Sequence, residues 1–181
     1  NTLNAESVTI WKDVPGVLSS DPRWYPKATH ISELSYWEAI ELTYFGAQVI
    51  HPKTLKPLQN KKIPLLVKSF VDPSLPGTII HQVANPLTLQ PIIIRKSNQA
   101  FVVISPRDFS FIMEDILSDV FSVFSKLRIK VNLMQTSALN FSVCIDRPRV
   151  LEDMITALSE KYNVTCTEDL ELINIRHYNQ H

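Results

Sequence analysis

Apolar positions along the chain switch between strand-like runs and helical spacing. Residues 7–11 (SVTIW) are β-branched and aromatic and read as a strand, followed by a turn-rich loop at 13–26, DVPGVLSSDPRWYP. Ser35-Tyr36-Trp37-Glu38 is a capping-box pattern; Ala39, Ile40, Leu42, Tyr44 and Phe45 carry a helix until Gly46 closes it with a left-handed cap. A proline suits a first helical turn, so a short helix is predicted from His51-Pro52 to about Leu58, with Asn60-Lys61-Lys62 turning the chain. IPLLVKSF, residues 63–70, is a continuous apolar run of strand length, as found in strands buried on both faces of a parallel or mixed sheet. DPSLPGTII adds a turn and a short strand, which completes a small αβ layered unit.

The pattern changes at 81–91. HQVANPLTLQP has two prolines, few charges and no helical period, so it is read as a linker between residues 1–80 and 92–181. Two strands are predicted in IIIRKSNQAFVVIS, around a turn at Lys96-Ser97-Asn98. Ile112, Ile116, Leu117, Val120, Phe121, Phe124 and Leu127 recur at helical spacing, and this Phe and Ile stripe from 111 to 127 is predicted to be core. VNLMQTS and NFSVCID read as strands, residues 149–162 as an amphipathic helix, and NVTCTE as a closing strand. That order over about 100–168 is the split βαβ, ferredoxin-like pattern. LELINIRHY then reads as a further strand, the start of a second such unit at 170–176.

Composition narrows the function classes. With 18 basic and 18 acidic residues in 181, the chain lacks the electrostatic footprint of a nucleic-acid or membrane-surface binder. There is no apolar run long enough to span a bilayer and no signal-peptide pattern, so a soluble, cytoplasmic protein is expected. Cys144 and Cys166 lie far apart in β-branched stretches and read as reduced core thiols; no metal-ligand spacing is present. Locally, Asp13, Gly16, Asp21 and Arg23 make good turn chemistry. The functional alternative is a phosphate or nucleotide site, with Arg23 as a planar donor fork and small Ser19 and Ser20 allowing close approach. Neither GxxxxGK[ST] nor GxGxxG occurs, His51 reads as a hydrogen-bonded structural residue, and no nucleophilic triad is proposed.

Taken in order, IWKDVPGV, SSDPR, YWEAIELTYFGAQVIHPKTLKPL, IPLLVKSF and PGTII resemble the C-terminal part of the catalytic domain of aspartokinases, in the amino acid kinase family. The later segment resembles their ACT regulatory region. The resemblance implies an α/β chain: the C-terminal part of an αβα layered kinase domain, then a βαββαβ ACT domain. It implies an aspartate kinase, using ATP with Mg²⁺ to phosphorylate the β-carboxylate of L-aspartate, the first step toward lysine, threonine, methionine and isoleucine. The family's KFGGTS and LGRGGSD motifs belong upstream, so this chain is expected to be a fragment with no catalytic residue of its own and inactive alone.

The resemblance also assigns residues. On the nucleotide wall it places Lys12 and Asp13 (a threonine-aspartate pair in the family), Leu18 (usually tyrosine), Arg23 of DPR, and Gln48-Val49 (usually lysine-valine). Lys12 is expected to substitute in part for the lysine missing at Gln48, the alternative being a solvated Lys12 with ATP held by Arg23 and backbone groups. The effector wall is expected at Ile116, Leu117, Val131, Asn132, Gln135, Thr136 and Ser137, between paired ACT units of a homodimer. Lysine-sensitive members resembling VDLITTSE carry acidic groups there, whereas Asn132 and Ala138 leave threonine, lysine or no effector open. The alternative function is a non-catalytic ACT regulatory subunit or dimerisation module binding an amino acid.

Overall fold

The computed structural model describes residues 5–48, 50–84, 88–108 and 110–178. It divides into two compact units, Asn1–Arg95 with Ile173–His181, and Lys96–Leu172.

In the first unit the apolar runs become β1 (Val8–Lys12), β2 (Val17–Leu18), β3 (His30–Ile31) and β4 (Glu33–Ser35). Helix α1 (Tyr36–Tyr44) starts where the capping box predicts: the Ser35 hydroxyl accepts the Glu38 amide at 3.0 Å. The Glu38 carboxylate, however, turns to Arg176 instead of back to the cap. Gly46 takes φ +117, and the amides of Gly46 and Ala47 donate to the carbonyls of Thr43 and Leu42, a Schellman closure. Helix α2 (Pro52–Lys61) runs past Leu58, with Pro57 inside it, and ends at Lys62 in the left-handed region. His51 caps it, Nδ1 accepting the Lys53 amide at 3.1 Å, in keeping with a structural role.

Strands β5 (Leu65–Ser69) and β6 (Thr78–His81) complete a sheet of order β1-β5-β6-β4. β1 and β5 are parallel, as are β4 and β6, while β5 and β6 are antiparallel. Leu34, Leu55, Leu65, Val67 and Ile80 are fully buried at its core. Fully burying a Leu, Ile or Val contributes about 1.5–3 kcal/mol, so these five fix the sheet against its helices.

The second sheet departs from the expected segmentation twice. IIIRKSNQAFVVIS forms one strand, β7 (Ile92–Pro106), because Asn98 absorbs the bend at φ +58 within the strand; asparagine tolerates the left-handed region at little cost. After it come α3 (Glu114–Lys126), β8 (Val131–Thr136), β9 (Phe141–Asp146) and α4 (Leu151–Ser159), the last shorter than residues 149–162. NVTCTE and LELINIR likewise fuse into β10 (Tyr162–Arg176), so residues 170–176 continue the closing strand. Sheet order β10-β7-β9-β8 is the ferredoxin-like arrangement. Ala100, Val102 and Ile104 of β7 and Phe141, Val143 and Ile145 of β9 bury one face against Val120, Phe124, Met154 and Leu158. The helical stripe is not core throughout. Phe111 is 67% exposed, because the helix begins only at Glu114 and the amide of Ile112 goes to Ala138. Cys144 is buried and Cys166 half-buried; both are free thiols, and burial pushes each up in pKa.

Candidate functional site

Ligands of open α/β sheets bind in the crevice beyond the carboxyl ends of parallel strands; in the first unit β1 and β5 form one such edge, and β4 and β6, running the other way, form the opposite one. Lys12 ends β1 opposite Ser69, and its carbonyl accepts the amide of Phe70 at 2.8 Å. Asp13 follows, exposed. Phe70 and Val71 stand 59% and 70% exposed at the same edge, an apolar surface that sequence reading missed. Its signal was an apolar run continuing beyond the strand's last paired residue. Ser69 shapes the turn there, its hydroxyl accepting the amides of Val71 and Asp72 at 3.2 Å.

Gly16 answers to packing. At φ +150 a Cβ would stand 2.6 Å from Thr78 Oγ1 and 2.7 Å from His30 Nε2. Thr78 needs that room: its hydroxyl accepts the Val17 amide at 2.8 Å and donates to the Ile31 carbonyl at 2.6 Å, holding the short β2–β3 pair on β6. Leu18 sits half-buried in that pair, opposite His30.

Ser19 and Ser20 are buried and used internally. The Ser20 hydroxyl donates to the Ile93 carbonyl at 2.8 Å, and Ser19 accepts the Thr29 amide at 2.9 Å. They are not the open approach to a phosphate that the loop suggested. Arg23 is exposed, and its guanidinium forks onto Asp21, Nε at 3.0 Å and Nη2 at 2.5 Å. Hydrogen bonding from Arg23 holds the Asp21 carboxyl below its ordinary value; the same pairing, with Asp13 adding attraction, raises Arg23. Asp13 and Arg23 therefore share one electrostatic neighbourhood.

Gln48 is exposed just past the Schellman closure, while Val49 lies outside the described residues. The Tyr36 hydroxyl donates to the Ile63 carbonyl at 2.6 Å, which joins the start of α1 to the end of α2. The 46–51 connection thus lies at the other end of both helices. β5 also runs away from Ile63, so its carboxyl end points to that same side.

In the second unit the expected effector wall is divided. Ile116, Leu117 and Val131 pack against the helix-covered core. Asn132 is the extra residue of a β-bulge, where Val131 pairs with Ile145 and Leu133 with Cys144. Its side chain goes to the opposite face, donating to Gln99 Oε1 at 2.8 Å and Asp146 Oδ1 at 2.9 Å. Successive strand residues face opposite ways, and Ala100, next to Gln99, is core. Lys96 completes this network, its ammonium 2.8 Å from both Asn132 Oδ1 and Asp146 Oδ1. Burial raises the Asp146 carboxyl, but bonds from Gln99, Lys96 and Asn132 outweigh it and leave the group below its ordinary value. Gln135, Thr136 and Ser137 are exposed at the end of edge strand β8, where Ser137 pairs with Asn140.

Among the described residues no group of three or more His, Cys, Asp and Glu could hold a metal ion, and no helix is long and apolar enough to cross a membrane.

Residues 1–69 match the amino acid kinase family model. The chain is 32% identical over 175 residues to a chloroplastic aspartokinase 1 of Arabidopsis thaliana, covering 96% of this chain and 30% of the plant protein. Among solved structures it resembles E. coli aspartokinase III in complex with lysine and aspartate, at a TM-score of 0.79 and 30% identity, over 93% of this chain and 39% of that one. The same enzyme in complex with aspartate and ADP gives a TM-score of 0.80 at 29% identity. The chain thus spans about a third of the length of these proteins.

Proposed function

We propose that this chain, which belongs with the aspartokinases and is of amino acid kinase type over residues 1–69, is the nucleotide-side and regulatory part of an aspartate kinase. That enzyme would transfer the γ-phosphoryl group of ATP to the β-carboxylate of L-aspartate, giving 4-phospho-L-aspartate, in the cytoplasm and under feedback by an amino acid. The observation that carries the reading is the likeness over 93% of the chain to an aspartokinase structure bearing aspartate and ADP. Within it, residues 1–80 would be the end of the catalytic domain, 81–91 the linker, and 92–181 the ACT region through which two copies pair, with the last stretch, Ile173–His181, belonging to the first compact unit.

Phosphoryl transfer rests on positioning and on positive charge around the phosphates. Lys12 and Arg23 would supply that charge, and Asp21 pairs with the Arg23 fork. Mg²⁺ would neutralise the phosphates when bound. It characteristically keeps several waters and takes few protein ligands, so it would be held chiefly by ATP. Exposed Phe70 and Val71 give the edge an apolar face for a nucleotide base.

The test is to express the whole reading frame that contains Asn1–His181, beside residues 1–181 alone, and trap acyl phosphate from aspartate and ATP with hydroxylamine. The full frame is expected to form aspartyl hydroxamate and the 181-residue chain none. A full frame without the activity overturns the reading.

A further inference from the structure

We infer that Arg176, outside the kinase segment of the sequence, is a positioning residue for the nucleotide wall. The inference rests on the reading of Lys12, Arg23 and Gln48 as that wall. Glu38 stands in the first turn of α1 with its side chain only 8% exposed. Arg176 Nε donates to Glu38 Oε1 at 2.8 Å and Nη2 to Oε2 at 3.2 Å, a bidentate pair between residues 138 positions apart. The third nitrogen, Nη1, donates to Glu41 Oε2 at 3.2 Å, and the guanidinium lies 6.0 Å from the centre of the Phe45 ring.

Glu38, Glu41 and Phe45 share one face of the helix. A single guanidinium therefore grips α1 from its first turn to its C-cap. Burial raises the Glu38 carboxyl, but the bonds from Arg176 and the nearness of His177 outweigh it and hold the group below its ordinary value. His177 Nε2 lies 2.9 Å from Glu38 Oε1, close enough for charge attraction when protonated, although its N–H is not aligned for a hydrogen bond.

The consequence for the wall is geometric. Apolar contacts let a helix slide or rotate by small amounts, whereas a desolvated, bidentate pair admits one arrangement. Phe45 is the C-cap, and Gly46 and Ala47 lead in a fixed closure to Gln48, three residues on. Rotation or axial drift of α1 thus becomes displacement of Gln48. Misplacing a binding group by about 1 Å can cost as much as 100-fold in rate. The residue that stops the drift sits at the end of β10, a strand that begins at Tyr162 in the other compact unit.

The experiment compares Arg176→Met, Arg176→Lys and the charge-free pair Glu38→Gln with Arg176→Met, each in the full-length kinase that contains this chain. The expected result for Arg176→Met is a KM for ATP raised about tenfold, the scale of a sub-ångström displacement, with kcat and the KM for aspartate within twofold. Lysine keeps the charge but not the fork, so Arg176→Lys should recover only part of the effect. The double variant removes the unpaired buried carboxylate and should fold, as followed by circular dichroism, while the ATP defect persists.

An unchanged KM for ATP in a folded double variant overturns the inference and makes Arg176 a folding staple only. Lys12→Ala and Arg23→Ala separate the two readings. If both leave the KM for ATP unchanged, the wall assignment falls and the role of Arg176 with it; if they raise it while the Arg176 variants do not, the wall stands and only the inference fails.

Discussion

Gly16 is one of three glycines in the chain, and its reason is a single missing atom. The loop motif explained it as a turn residue; the fold places it against Thr78 and His30, where a Cβ would be 2.6 and 2.7 Å from side-chain atoms. Gly16→Ala is expected to destabilise the first unit by about 2 kcal/mol through overpacking and backbone strain, measured as a lower urea midpoint with an unchanged slope. A midpoint equal to that of the parent chain would show that His30 swings aside without cost. Arg23 shows the converse. The loop motif offered it as a phosphate-binding fork, and in the fold its guanidinium pairs with Asp21, a contact within the DPR triplet itself. Glu38 was read as half of a capping box. Its true partner is 138 residues away, and no local rule finds it.

Elements were legible where one period runs unbroken. The capping box, the apolar helix face and the glycine closure agree on α1, and consistent local signals of this kind identify an element reliably. Failures came at bends. Lys96-Ser97-Asn98 looked like a turn, yet asparagine at φ +58 kinks β7 without ending it, and Asp169 at φ +55 lets β10 pass through in the same way. Whether a left-handed residue ends a strand depends on what pairs beyond it, which is a tertiary matter. Titration reports on two of the ion pairs these elements make. Glu38 and Asp146 both titrate below their ordinary values when folded. Their pairings therefore contribute stability above the unfolded carboxylate range of about 4, and that stability is lost as the pH falls through their folded values. The thermal midpoint is expected to hold between about pH 7 and 5 and to drop toward pH 3, by less in the double variant Glu38→Gln, Arg176→Met. An equal drop in both would place the acid sensitivity elsewhere.

At the scale of the whole molecule, the proposed reading would have the second unit answer to an amino acid. Lys96 already lays its ammonium on Asn132 and Asp146, so a second ammonium brought there would face like charge and no unengaged acid. Calorimetry of the chain is expected to register threonine and not lysine; heat from lysine alone would reverse that assignment. By itself the sequence determined the αβ run before residue 80, the βαββαβ order after it, and the resemblance to aspartokinases, because periodicity, caps and ordered motifs are local and survive without coordinates. Only the tertiary structure decided that Asn132 bulges away from Val131, that Ser19 and Ser20 are spent on internal bonds, and that Arg176 grips α1. Each depends on which face a side chain takes and on what the fold sets opposite it, and the energy of a buried polar group is set by that partner, not by its neighbours in sequence.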